Sequence, residues 1–166
     1  MKRLLPLLLL ALAACESAGR GEAVPGVSLL ENFRMAESGA GAARWSLEAG
    51  KGRMDEKNGL ITFTSPRVRF YEDGKPTSEI SSRAGSLKMH DKSAVLTDEV
   101  VVNSLKDGMR LVTTKLYYSA ARGKIWTDEP LTIYKDRTVI KGRGFTANPD
   151  LSAIEIQRQE TRVAGQ

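Results

Sequence analysis

The sequence predicts an all-β protein built from repeated antiparallel hairpins, on three observations. Short runs alternate apolar with polar residues, turn-forming pairs stand between the runs, and past the N-terminal leader no long window keeps the 3.6-residue period of a substantial helix. The 166 residues suffice for one domain with a real core.

The chain opens on MKRLLPLLLLALAAC. Lys2 and Arg3 give a positive start, residues 4–12 an apolar run broken by Pro6, and Ala13 and Ala14 a small pair before Cys15. This is the anatomy of a secretory signal, at roughly half the ~20 apolar residues that a bilayer-spanning helix needs. Leu12-Ala13-Ala14-Cys15 resembles the lipobox of bacterial lipoproteins. That resemblance implies removal of residues 1–14 and lipidation of Cys15. A diacyl or triacyl cysteine anchors stably, because each buried methylene contributes about 0.8 kcal/mol while one chain alone holds marginally. The alternative is an ordinary signal followed by an incidental thiol. Cys15 is the only cysteine, so no internal disulfide can form. Residues 15–26, rich in Gly, Ala, Glu and Ser and without periodicity, predict a flexible tether of roughly 20 Å reach.

A domain is expected over residues 27–160, with 161–166 a tail. Residues 30–37 carry the most helical pattern but run into Ser38-Gly39-Ala40-Gly41, and read equally as an edge strand. Trp45-Ser46-Leu47-Glu48-Ala49, Ile61-Thr62-Phe63-Thr64 and Arg67-Val68-Arg69-Phe70 alternate as half-buried strands. Asn58-Gly59, Asp73-Gly74, Asp107-Gly108 and Arg122-Gly123 mark turns, where a positive φ is needed.

The chain also repeats. Thr97-Asp98-Glu99-Val100-Val101-Val102 aligns with Thr127-Asp128-Glu129-Pro130-Leu131-Thr132, and Thr64-Ser65-Pro66-Arg67-Val68 is similar to an earlier copy. Between copies run Ile80-Ser81-Ser82-Arg83-Ala84, Leu111-Val112-Thr113-Thr114-Lys115-Leu116 and Ile140-Lys141-Gly142-Arg143-Gly144-Phe145. A lone hairpin cannot bury its apolar face, so the units must stack into a curved, two-layered structure around a shared interior. Gly50, Gly85, Gly142 and Gly144 predict bulges or bends inside strands, and Pro66 and Pro130 are expected at strand starts.

Charge and motif content exclude several function classes. The net charge is +5, and loss of residues 1–14 removes Lys2 and Arg3, leaving 23 basic against 20 acidic residues. The two signs are interspersed, which argues against a nucleic-acid patch. The mild basic excess suits an anionic lipid or glycolipid, and equally suits solubility alone. His90, the only histidine, stands beside Asp91 in an expected turn with no second histidine or cysteine for zinc. No Gly-x-Ser-x-Gly elbow, phosphate loop or Ser-His-Asp set is present. Asp98-Glu99 and Asp128-Glu129 recur at one repeat position, so they read as exposed loop or strand-start residues rather than a catalytic carboxylate pair. No catalytic residue, metal or cofactor is expected.

Taken together, Arg44-Trp45-Ser46-Leu47-Glu48-Ala49, Phe63-Thr64-Ser65-Pro66 with Val68 and Phe70-Tyr71, Asp98-Glu99-Val100-Val101-Val102, Thr127-Asp128-Glu129-Pro130 and Gly142-Arg143-Gly144-Phe145 resemble the LptC family of the lipopolysaccharide-export machinery. The resemblance implies a twisted antiparallel β-jelly-roll, open along one seam, whose apolar interior holds lipopolysaccharide acyl chains. It implies a non-enzymatic relay on the periplasmic face of the inner membrane. The relay takes its lipid from an ABC transporter complex (LptB, LptF and LptG) and passes it to a periplasmic bridge protein, LptA. Many members keep an uncleaved transmembrane helix, where this chain has its lipobox-like cysteine. Glu16 stands where some bacteria use Asp to retain lipoproteins in the inner membrane, so that residence rests on the family.

On this reading Trp45, Leu47, Ile61, Phe63, Val68, Phe70, Ile80, Leu87, Leu96, Val100, Leu111, Leu116, Ile125, Leu131, Ile133, Ile140 and Phe145 line the lipid groove; in a closed sandwich the same residues would be core. Unpaired strand edges are ordinarily a liability, but they can dock partners by strand addition. The family pattern puts the transporter edge at Val27, Leu29 and Phe33 and the bridge edge at Ile154 and Ile156, where an ordinary capping strand would look the same. The second function class is a structural or generic lipid-binding lipoprotein of the outer membrane, with a closed β-sandwich or lipocalin-like cup.

Overall fold

The computed structural model describes residues 25–39 and 42–163. The signal peptide, Cys15 and most of the tether lie outside the described residues. Eleven strands make one antiparallel sheet: β1 (Val27–Gly39), β2 (Ala42–Asp55), β3 (Leu60–Thr64), β4 (Arg67–Glu72), β5 (Lys75–Ser81), β6 (Ala84–Lys88), β7 (Ser93–Ser104), β8 (Arg110–Ser119), β9 (Lys124–Lys135), β10 (Thr138–Ala147) and β11 (Ile154–Val163). Residues 30–37 are therefore strand. The turn signals work as their chemistry dictates: Gly59, Gly74, Gly108 and Gly123 all have positive φ, and Asp73 joins Gly74 in a two-residue hairpin loop.

Several of these strands are halves of longer ones. β3 and β4 both pair with β2 in a single register, Lys51↔Thr64 continuing to Glu48↔Arg67, and the break between them is Ser65-Pro66. β5 and β6 pair with β4 and β3 in the same way, broken at Ser82-Arg83. The line of breaks continues across the sheet. The register shifts between Thr97 and Val100 in β7, between Thr113 and Tyr117 in β8, and between Arg143 and Phe145 in β10. Left-handed backbone marks it at Asn32, Ser65, Asp98, Glu99 and Gly144.

The repeated motif is thus a corner motif. Asp98-Glu99 and Asp128-Glu129 lie inside β7 and β9 rather than in loops or at strand starts, and Pro130 too is inside β9. A bent strand gives the same local pattern as two strands with a turn between them, which is why the expectation failed. Other bonds replace the ladder at the bend: Ser65 N–H donates to the Arg83 carbonyl at 2.8 Å and Arg83 N–H to the Asp98 carbonyl at 2.9 Å. Farther along, the Glu129 N–H donates to the Thr127 hydroxyl at 3.1 Å, and the Thr113 hydroxyl to the Pro130 carbonyl at 3.0 Å. Thr127 of the motif and Thr113 of the neighbouring strand satisfy backbone groups that the bend takes out of the ladder.

Passing the corner changes which side of a strand faces inward. In β2, Leu47 and Ala49 are buried before Gly50, and Gly52 and Met54 turn inward after it; Ile61 and Phe63 of β3 give way to Pro66 and Phe70. Each long strand therefore contributes half its length to each of two layers. Residues 33–39, 44–49, 67–81, 100–113 and 131–143 build the first layer, and 27–31, 51–64, 84–97, 116–127 and 145–156 the second. The layers face each other across one core: Phe70 of β4 meets Tyr118 of β8 at 5.4 Å between ring centroids, although β5 and β7 separate those strands in the sheet. Gly85 permits a close approach, since a Cβ there would stand 2.5 Å from the Phe63 ring. Among the described residues β1 pairs with β2 alone and β11 with β10 alone, so each keeps a free edge there and no hydrogen-bond ladder closes the sheet.

Candidate functional site

Between the layers lies an almost wholly apolar cavity of ≈ 40 Å³. The first layer supplies Trp45, Leu47, Val68, Phe70 and Ile80, and the second Phe63, Leu87, Ala94, Leu96, Leu116, Tyr117 and Tyr118. Of the residues expected in a groove, Ile61, Val100, Leu111, Ile125, Leu131, Ile133 and Phe145 do not line this cavity; they are buried in packed core, and Ile140 packs half-buried against it. Ala94, Tyr117 and Tyr118 were missed. Tyr118 carried a readable signal, two residues beyond Leu116 on one strand face, whereas alanine carries almost none.

The cavity is far below the roughly 150 Å³ that admits a benzene. In this conformation the core beside it, including Val100, Leu111, Ile125 and Phe145, is filled by the protein's own side chains.

The void borders a surface groove of ≈ 340 Å³ lined by Met35, Ala36, Glu37, Ser38, Trp45, Leu87, Met89 and Lys92. Trp45 and Leu87 line both spaces. Across the mouth, the Trp45 indole N–H donates to Glu37 Oε2 at 2.9 Å and the Lys92 ammonium to Glu37 Oε1 at 2.8 Å. The Lys92 bond first, then the Trp45 bond, hold the Glu37 carboxyl below the usual carboxylate range. Burial pushes the Tyr118 phenol up, and the Glu37 charge adds to that. Sequence periodicity gave no reason to single out Glu37 or Lys92, because an ion pair 55 residues apart exists only once the layers meet.

A second set of contacts ties the layers elsewhere. Lys106, in the β7–β8 turn, donates to Glu72 at 2.7 Å and to Asp150 at 3.4 Å, and the Ser78 hydroxyl donates to the Pro149 carbonyl. Leu151, in the same β10–β11 loop, packs against the core.

The two edge strands differ from the simplest expectation. Leu29 is 80% exposed, but the left-handed Asn32 reverses the face of β1, and Phe33 points inward with its ring 6.5 Å from that of Phe63. Val27 is half-buried. On β11, Ile154 is exposed and Ile156 packs half-buried against the core. His90 is exposed in the β6–β7 turn, and among the described residues no cluster of His, Cys, Asp or Glu could hold a metal ion. No helix among the described residues is long and apolar enough to cross a membrane.

Residues 27–163 match the family described as lipopolysaccharide-assembly, LptC-related. The chain belongs to that family. Membership gives it a role in lipopolysaccharide transport, among transport proteins rather than enzymes. Among solved structures it is similar to the crystal structure of LptH, the LptA-homologous periplasmic component of the lipopolysaccharide transport device of Pseudomonas aeruginosa. That match has 7% sequence identity and a TM-score of 0.55, and covers 84% of this chain and 95% of the other. At that identity the likeness shows the fold, a β-jelly-roll. No curated protein matches the chain by sequence.

Proposed function

We propose that the protein is a lipopolysaccharide relay of the periplasm. Acyl chains lodge between the two layers, while the free edges of β1 and β11 dock the neighbours that deliver and receive the lipid. The observation that carries this reading is the apolar cavity lined from both layers, in a member of the LptC-related family.

The layers must part to admit a chain, and the architecture makes this affordable. The backbone ladders run within the folded sheet, so separation spares them and costs mainly side-chain packing and the contacts bridging the layers. An inserted hydrocarbon replaces apolar contacts with apolar contacts, which limits the loss of dispersion and keeps water out.

The edge of β1, with Leu29 outward, faces the ABC transporter complex, LptB, LptF and LptG, and the edge of β11, with Ile154 outward, faces LptA. Strand addition supplies main-chain hydrogen bonds and joins the interiors of successive jelly-rolls. Lipidation of Cys15 holds the domain at the inner membrane. The self-filled interior favours the second reading, a closed lipoprotein of the outer membrane, and one experiment separates the two. Photo-crosslinking residues placed at Phe63 and Leu47 in cells should capture lipopolysaccharide, and Leu29→Lys and Ile154→Lys should each weaken co-purification of one neighbour. Silence from both interior positions in folded protein, with recovery in the outer membrane, removes the relay.

A further inference from the structure

We propose that an anionic amphiphile inserts its acyl chain between the layers at one portal, the groove between the C-terminal half of β1 and the β6–β7 turn, with Trp45 as the gate and Glu37 as its latch. This inference rests on the lipid-binding reading above and says where and how the chain gets in.

Three observations point to this place. Trp45 and Leu87 are walls of both the surface groove and the interior cavity, so a displaced indole would join the two spaces. The indole is held by a carboxylate that Lys92 also grips, so one residue on β1 controls both the gate and the cation beside it. Lys92 and Glu37 are also accessible, with side chains 51% and 28% exposed, so a ligand can reach the pair from solvent. On the side of Lys106, by contrast, the β7–β8 turn and the β10–β11 loop are strapped together beside tightly packed core.

The arrangement selects the chemistry of the occupant. A phosphate or carboxylate at the head of an amphiphile competes with Glu37 for the Lys92 ammonium. Once Lys92 turns to the ligand, the carboxylate is freed from one of its two partners and the indole can swing outward. The apolar tail then meets Leu87 and the rings of Phe70 and Tyr118 behind the gate. A neutral amphiphile offers no such exchange and leaves the latch set.

The chain reports on its own gate. It has two tryptophans, and Trp126→Phe leaves Trp45 as the sole indole. In the full chain carrying Trp126→Phe and Cys15→Ser, 12-bromododecanoate should quench the remaining fluorescence saturably, and 12-bromododecanol much less. Glu37→Gln should tighten the apparent affinity for both by about threefold, since the half-exposed ion pair it removes is screened by solvent. Lys92→Ala should erase the preference for the acid. A Glu37→Cys, Lys92→Cys pair joined by a bis-maleimide should abolish quenching, while the same pair capped with a monofunctional maleimide should retain it. Full quenching in the joined form overturns the portal but leaves lipid binding standing, because the chain then arrives by another way. Equal affinity for acid and alcohol overturns the role of Lys92. Absence of quenching in every variant, together with silent crosslinkers at Phe63 and Leu47, overturns the lipid reading itself.

Discussion

The interior has two halves that differ in kind. Around β7 to β10, Val100, Val102, Leu111, Ile125 and Phe145 are each 0% exposed and interlock as a solid core. Around β2 to β6 and the stretches of β7 and β8 that face them, Trp45, Val68 and Ala94 are only half-buried, and a void of ≈ 40 Å³ remains. Interiors normally pack as densely as organic crystals. A void next to an ion-paired mouth therefore sets that half apart from the solid one, and on the proposed function it is the half that yields while the solid half is its frame.

The largest effect should come from the frame. Phe145→Ala removes a fully buried ring and should cost about 3–5 kcal/mol in denaturant unfolding, with the half around the cavity lost along with it. A matched pair of substitutions tests the contrast directly. Ala147→Val, at a position 1% exposed in the solid half, should destabilise by about 1–3 kcal/mol through overpacking, whereas Ala94→Val, on the cavity wall, should stabilise by about 0.5–1 kcal/mol. If both alanines respond with the same sign, the two halves do not differ in packing and the contrast collapses.

The smallest expected effect is electrostatic and belongs to the β7–β8 turn. The Lys135 ammonium and then the Ser104 hydroxyl hold the Asp107 carboxyl down to about 2. A carboxyl depressed in the folded state adds stability above its unfolded value of 3.8, and that contribution is lost as the pH falls from there through about 2. The pair is nearly half exposed, so solvent screening keeps it under about 1 kcal/mol. Unfolding midpoints between pH 5 and pH 2 should fall less for Asp107→Asn than for the parent, and equal slopes would assign the acid loss to other carboxylates.

Much of the fold was legible because its causes are local. Alternation at Trp45 to Ala49 and Ile61 to Thr64 reflects a pleat of period two, and Asp73-Gly74 turns because only a few residue types accept positive φ. The corners are visible as a repeated Thr-Asp-Glu segment but look like loops or strand starts, since a bend that keeps its register resembles, within a short window, a strand that ends. The reversal of face at Asn32 was invisible for the same reason, and it separated Leu29 from Phe33.

By itself, then, the sequence determined that this chain is a stack of antiparallel hairpins with one apolar interior, because strand period and turn chemistry are written residue by residue. Only the tertiary structure decided which interior residues surround a void and which are solid, and that Trp45, Glu37 and Lys92 meet at its mouth. Those outcomes depend on how two halves of a bent sheet face each other, and contacts made across that fold leave no trace in the spacing of residues along the chain.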